Sequence, residues 1–174
     1  MSNDLQLSES IKLPPQNIEA EQSVLGSLML DKDAVLKIAD TLRSDDFYRG
    51  AHKIIYEAML ELYEAREPID MLSLSNRLEE KKQLEMIGGI TYLTTIVNSV
   101  PTASHITHYA DIVRKKNILR NLISASSEIS SMSYDERNDL ETILNEAEKR
   151  IFNIAQKTTR QLFLPMKTAL EEAF

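Results

Sequence analysis

Few side chains in this sequence have the type and spacing that chemistry requires. His105 and His108 stand three apart and Asp111 follows a turn later, a spacing that could open a facial metal site. A structural metal centre needs a fourth ligand, and none is evident, so capping and solvated polar contacts account for these residues better. Asp135-Glu136-Arg137-Asn138-Asp139-Leu140-Glu141 outlines a calcium loop, but Arg137 occupies a ligand position and Leu140 the position that needs glycine. Those carboxylates suit a helix N-terminus instead, and Asp45-Asp46 and Glu79-Glu80 likewise read as charged helix ends. His52 is expected to pack near the core surface rather than to move protons. None of Gly26, Gly50, Gly88 and Gly89 precedes the Lys and hydroxyl of a phosphate-binding loop. Gly88-Gly89 also lacks the strand and third glycine of a dinucleotide fold. The absence of Cys excludes disulfides, thiolate ligands and a Cys nucleophile. Arg114-Lys115-Lys116 with Arg120 is the basic cluster, and it could touch single-stranded nucleic acid. It lacks interleaved aromatics, and an acidic second helix could neutralise it. The expectation is a segment without catalytic residues, metal or cofactor.

The elements that must position these residues are helical. The 174 residues are 43% apolar and 27% charged, the balance of a soluble domain with room for an appendage. Only four Gly and five Pro leave little material for hairpin turns, which argues for an all-α fold. No apolar run approaches the length of a membrane span, and Met1 to Leu13 is polar, so a cytoplasmic location is expected. Residues 1–100 hold ten Lys and Arg against seventeen Asp and Glu. Residues 101–133 are net basic and 134–157 net acidic, as expected of two segments that pack together.

Four stretches follow from the pattern. Residues 1–13 read as a disordered leader, and 14–100 as a helical globule. In the globule, Asn17 caps a helix carrying Ile18, Val24, Leu25, Leu28 and Met29, with Glu19 and Glu21 in its first turn. A helix from Asp31 or Asp33 uses Ala34, Val35, Ile38, Ala39 and Leu42. Gly50 to Arg66 uses Ile54, Ile55, Ala58, Met59, Leu62 and Tyr63, and Asp70 caps a helix with Leu74, Leu78 and Leu84. Ile90 to Val97 alternates like a strand, but no partner strand exists, so it is expected to be helical. Residues 101–157 form an antiparallel hairpin, with a first arm from Ser104 to about Ser131 and a second from about Glu136 to Lys157. The second arm has a heptad of Leu140, Ala147 and Ile154 with Leu144 and Ile151. On the first arm Ile118, Leu119, Leu122, Ile123, Ala125, Ile129 and Met132 cover more than one seam needs. The excess packs on the globule or meets another protein. Residues 158–174 form a linker and the start of a truncated helix at Pro165, whose stripe of Met166, Ala169, Leu170, Ala173 and Phe174 is too short to stand alone.

Four blocks in order carry a resemblance. Pro14-Pro15-Gln16-Asn17-Ile18-Glu19-Ala20-Glu21-Gln22-Ser23-Val24-Leu25-Gly26 is the first, and Asp46-Phe47-Tyr48-Arg49-Gly50-Ala51-His52 the second. Gly88-Gly89-Ile90-Thr91-Tyr92-Leu93 is the third. Val100-Pro101-Thr102-Ala103 followed by Tyr109-Ala110-Asp111-Ile112-Val113 is the fourth. Together they resemble the amino-terminal domain of the bacterial replicative helicases of the DnaB family. The resemblance implies a helical globule and hairpin whose copies pair into dimers and, in the intact protein, a hexamer built as a trimer of dimers. Such a collar would receive the carboxy-terminal domain of primase. By position, Glu19, Tyr92, Ile123 and Ile129 match that docking surface. Ile118, Leu119, Leu122 and Met132 are expected at the oligomer interface, and Met166, Leu170 and Phe174 in linker docking. ATP, magnesium and single-stranded DNA would be handled by a carboxy-terminal domain of the intact protein, and a helicase loader is a further implied partner.

Overall fold

The computed structural model describes residues 12–100 and 102–171, and their side chains as far as Thr158. The Asn17 side chain accepts from the Ala20 N–H at 2.9 Å and starts helix α1 (Ile18–Leu30). Three further helices complete the sequence-local part of the globule: α2 (Gly50–Glu64), α3 (Met71–Glu80) and α4 (Gly89–Asn98). Asp70 caps α3 by accepting from Ser73 N–H at 2.8 Å. Gly88 and Gly89 both have positive φ, 103° and 70°, so the chain enters α4 through a conformation that side-chain-bearing residues resist. Ile90 to Val97 is helical as expected, burying Leu93 and Ile96, and no strand occurs among the described residues.

The stretch after α1 differs from expectation. In place of an α-helix there is a short 3₁₀ turn, Ala34–Lys37, yet Ala34, Val35, Ile38 and Leu42 are all buried. Asp31 takes the Asp33 N–H with its side chain, and the next carbonyls close short local turns, so side-chain and backbone bonds compete with helix propagation. Tyr63 faces outward rather than inward, at the solvent side of the last turn of α2.

The long helices depart from the expected boundaries in three ways. Helix α5 (Ile106–Tyr134) begins inside the globule: Ile106, Ala110 and Val113 belong to the same core as Val24, Leu25, Ile55 and Leu93. The globule therefore runs past residue 100, and a single helix serves both halves of the molecule. The second arm begins later than expected, at Leu140, because Asp139 and not Asp135 accepts from the first turn, taking Thr142 N–H on its side chain and Ile143 N–H on its carbonyl. That arm, α6 (Leu140–Glu171), then continues past Lys157 through Thr158 to Leu164, a stretch without glycine, and passes Pro165 at the loss of one backbone hydrogen bond.

The hairpin seam is also rotated from the expected heptad. As far as Thr158, the half-buried residues of α6 are Ile143, Glu146, Ala147, Arg150, Ile154 and Thr158, and on the same half of α5 the apolar residues withdrawn from water are Ile118, Leu122, Ala125, Ile129 and Met132. Leu140, Leu144 and Ile151 lie roughly 60° round the helix from the centre of that α6 stripe and remain exposed. Across the seam Arg150 pairs with Glu128.

Gly26 sits where α1 meets α4, and a Cβ there would stand 2.3 Å from Val100 Cγ2 and 2.8 Å from the Ile96 carbonyl oxygen. A backbone carbonyl cannot swing aside as a side chain can. Gly26→Ala is expected to destabilise the globule by about 1–3 kcal/mol despite raising helix propensity, read as a lowered urea midpoint.

Candidate functional site

Helical spacing already places two polar residues on apolar faces. Glu21 shares its side of α1 with Val24, Leu25 and Leu28, and His52 shares its side of α2 with Ile55, Tyr56 and Met59. Both are fully withdrawn from water, at 1% and 0% exposure. They meet: His52 Nδ1 lies 2.6 Å from Glu21 Oε2. The other carboxylate oxygen accepts from the Tyr48 N–H at 2.6 Å, and Oε2 also receives the Arg49 N–H at 3.4 Å, so Glu21 closes the entry to α2. On the far side of the ring, Nε2 lies 2.7 Å from the Tyr92 hydroxyl. The His52 and Tyr92 rings stack at 5.9 Å between centroids, and Phe47 meets His52 edge-on at 6.5 Å.

The chain of contacts ends at the surface. Tyr92 is half-buried, and its oxygen receives Arg49 Nη1 at 2.9 Å and Gln22 Nε2 at 3.5 Å. The Arg49 guanidinium also lies over the Tyr92 ring, 5.5 Å from its centroid. Glu19, exposed one turn before Gln22, lines a shallow cleft with Gln22, Ser23, Tyr109 and Ile112. Glu19 and Tyr92 thus share one neighbourhood. Ile123 and Ile129 do not join it; they lie on the half of α5 beyond the globule, Ile123 56% exposed and Ile129 half-buried in the seam. Of the residues expected at an oligomer interface, Leu119 is exposed, while Ile118, Leu122 and Met132 are half-buried against α6. The side chains of Met166 and Leu170, and Phe174 altogether, lie outside the described residues.

A second polar group fastens α5 to the globule. Asp46 is buried, not a solvated helix end: it accepts from Arg43 N–H and from Asn117 Nδ2, each at 2.7 Å. Arg120 donates to the carbonyls of Pro15 and Asp46 at 2.8 and 2.7 Å and covers the Tyr48 ring. Arg114 lies 4.0 Å from Asp111. The basic cluster is therefore not a continuous stripe for phosphates: Arg120 holds α5 to the globule, Arg114 pairs within its own helix, and Lys115 is the exposed member. No helix among the described residues is long and apolar enough to cross a membrane.

Globule, shared helix and exposed hairpin edge define an all-helical, hairpin-bearing domain. Residues 13–115 match the family described as the DnaB-like helicase N terminal domain, and the chain belongs to that family. The replicative DNA helicase DnaC of Bacillus subtilis (strain 168) is 44% identical over 163 residues, covering 94% of this chain and 36% of that protein. The chain thus spans about a third of the length of such relatives. The crystal structure of the N-terminal domain of DnaB helicase from Mycobacterium tuberculosis is 39% identical and superposes with a TM-score of 0.77, covering 81% of this chain and 99% of that one. A DnaB-like replicative helicase, solved in a study of its interactions with primase, is 27% identical with a TM-score of 0.66, covering 79% of this chain and 31% of that one.

Burial raises the carboxyl of Asp46 above its ordinary value of 3.8, against the hydrogen bonds from Arg43 and Asn117 that pull it down. A raised native value means that the fold holds this proton more tightly than the unfolded chain does. Its contribution to stability is full below the ordinary value and is lost as pH rises through the raised one. Asp46→Asn should remove that component, so that the variant's urea midpoint no longer carries a fall as pH rises through the raised value, and the difference from the parent chain changes across that range.

Proposed function

We propose that this chain is the oligomerising and primase-recruiting amino-terminal domain of a hexameric replicative helicase. The observation that carries the reading is apolar surface that stays exposed among the described residues: Leu119 and Ile123 on α5, and Leu140, Leu144 and Ile151 on α6. Two helices can bury one stripe each, and the remainder suits a second hairpin. Pairing through Ile118, Leu119, Leu122 and Met132 with these edges would build dimers, three of which make the hexameric collar. Primase, through its carboxy-terminal domain, would engage Glu19 and Tyr92 on the globule and Ile123 and Ile129 on the hairpin. The solved DnaB-like helicase and its interactions with primase support that partner.

In this reading the tail stripe of Met166, Leu170 and Phe174 docks on a neighbouring subunit, and a helicase loader joins the assembly in the bacterial cytoplasm. ATP with magnesium, and the single-stranded DNA on which unwinding acts, would be held by a carboxy-terminal domain of the intact protein. The domain's own contribution is geometric: it sets subunit spacing and holds primase where single strands emerge.

Light scattering at micromolar concentration should show dimers or larger species, and Leu144→Glu should shift them toward monomer. A wild-type chain that stays monomeric would overturn the pairing. Titration with the carboxy-terminal domain of a primase should show binding that Ile123→Ala and Tyr92→Ala each weaken by roughly five- to fiftyfold, the range of interface anchors. Unchanged affinity in both variants would refute this docking surface.

A further inference from the structure

We propose that Glu21 and His52 are positioning residues, whose role is to turn the Tyr92 hydroxyl inward so that its oxygen faces a partner solely as a hydrogen-bond acceptor. The proposal rests on the docking reading of Tyr92 and adds the chemistry of the group that meets it: an N–H donor such as a lysine, arginine or backbone amide.

The polarity of the chain follows from what each atom can do. Glu21 already takes the Tyr48 and Arg49 N–H groups, and a carboxylate in that position is an acceptor. His52 Nδ1, at 2.6 Å, must therefore carry the hydrogen. In the neutral ring Nε2 is then the acceptor, and the hydroxyl 2.7 Å away is the donor it meets. With the Tyr92 hydrogen directed inward, the lone pairs of its oxygen point out. The outer neighbours are consistent with that polarity. Arg49 Nη1, which can only donate, takes one outward lone pair at 2.9 Å. Gln22 Nε2, at 3.5 Å, is too far for a strong bond, which leaves the second lone pair for a partner's N–H. Stacking of the imidazole on the phenol ring, 8° from parallel, holds the ring plane as well.

A fully buried carboxylate–imidazole pair is costly to desolvate. Glu21 meets part of that cost by taking the Tyr48 and Arg49 N–H groups at the entry to α2; what His52 adds beyond that is a tyrosine with one defined rotor position. Preorganisation of that kind lowers the cost of ordering on binding.

The test uses the full chain and two readouts. In the chain alone, nitrogen NMR of the His52 ring should show the Nδ1–H tautomer, with a slowly exchanging Tyr92 hydroxyl proton that disappears in His52→Asn. Asn keeps an amide donor for Glu21 but does not reach Tyr92. In titrations with the carboxy-terminal domain of a primase, His52→Asn and Tyr92→Phe should each weaken binding about three- to tenfold, and the double variant no further. His52→Gln, which returns an amide oxygen near the Nε2 position, should recover most of the affinity. Circular dichroism shows whether each variant is folded. A wild-type Nε2–H tautomer, or His52→Asn binding as wild type while Tyr92→Phe binds weakly, would overturn the proposal. Should the wild-type chain not bind primase, the docking reading falls, and the NMR result alone still decides whether His52 orients Tyr92.

Discussion

A carboxylate taken out of water must be surrounded by donors or it destabilises the fold by several kcal/mol. Glu21 is that carboxylate, and meeting its demand places much of the molecule. Its donors are the Tyr48 and Arg49 N–H groups and the His52 ring, all from the few residues that lead into α2. The start of α2 is thereby held against α1. His52 passes the constraint to α4 through Tyr92. The turn before α2 is held by the same bonds, and its Asp46 is then in position to receive Asn117 and Arg120 from α5. Four helices of different sequence distance are registered on one buried group, with Phe47 and Tyr56 packed at 5.0 Å beside it.

Helix α5 explains how two kinds of surface coexist. Its first turns are core residues and its remainder is an arm, so what is apolar on it changes face along its length: Ile106, Ala110 and Val113 turn to the globule, Ile118, Leu122, Ala125 and Ile129 to α6. Arg120 sits at the changeover, where its two carbonyl partners and the Tyr48 ring satisfy a guanidinium that would otherwise be half-buried without compensation. A charge that reads as a candidate for phosphate in the sequence is thus engaged by the fold.

The architecture was legible because its signals are local. Asn17 and Asp70 announce their helices as caps, the scarcity of glycine argues against sheets, and the long uninterrupted runs declare the arms. The seam keeps Ala147 and Ile154 of the expected heptad but leaves out Leu140, Leu144 and Ile151, because a heptad drifts against a straight helix of 3.6 residues per turn and tertiary packing settles the side that meets α5. The continuation of α6 was missed because proline punctuates helices more often than it is carried within them. The Glu21–His52–Tyr92 chain left only half a trace. Glu21 and His52 each interrupt an apolar stripe at helical spacing, which marks them for burial, but their sequence separations of 31 and 40 residues hide that they share one site.

The absence of glycine or proline between Val113 and Tyr134 makes α5 a stiff rod clamped at one end. From the clamp at Arg120 to the tip is about 21 Å of helix, so a tilt of roughly 5° there would sweep the hairpin end by nearly 2 Å, about a third of a helical pitch. Packing adjustments too small to notice around Asp46 and Arg120 would thus be magnified into a change of reach at the far end, which makes the domain a lever as much as a spacer.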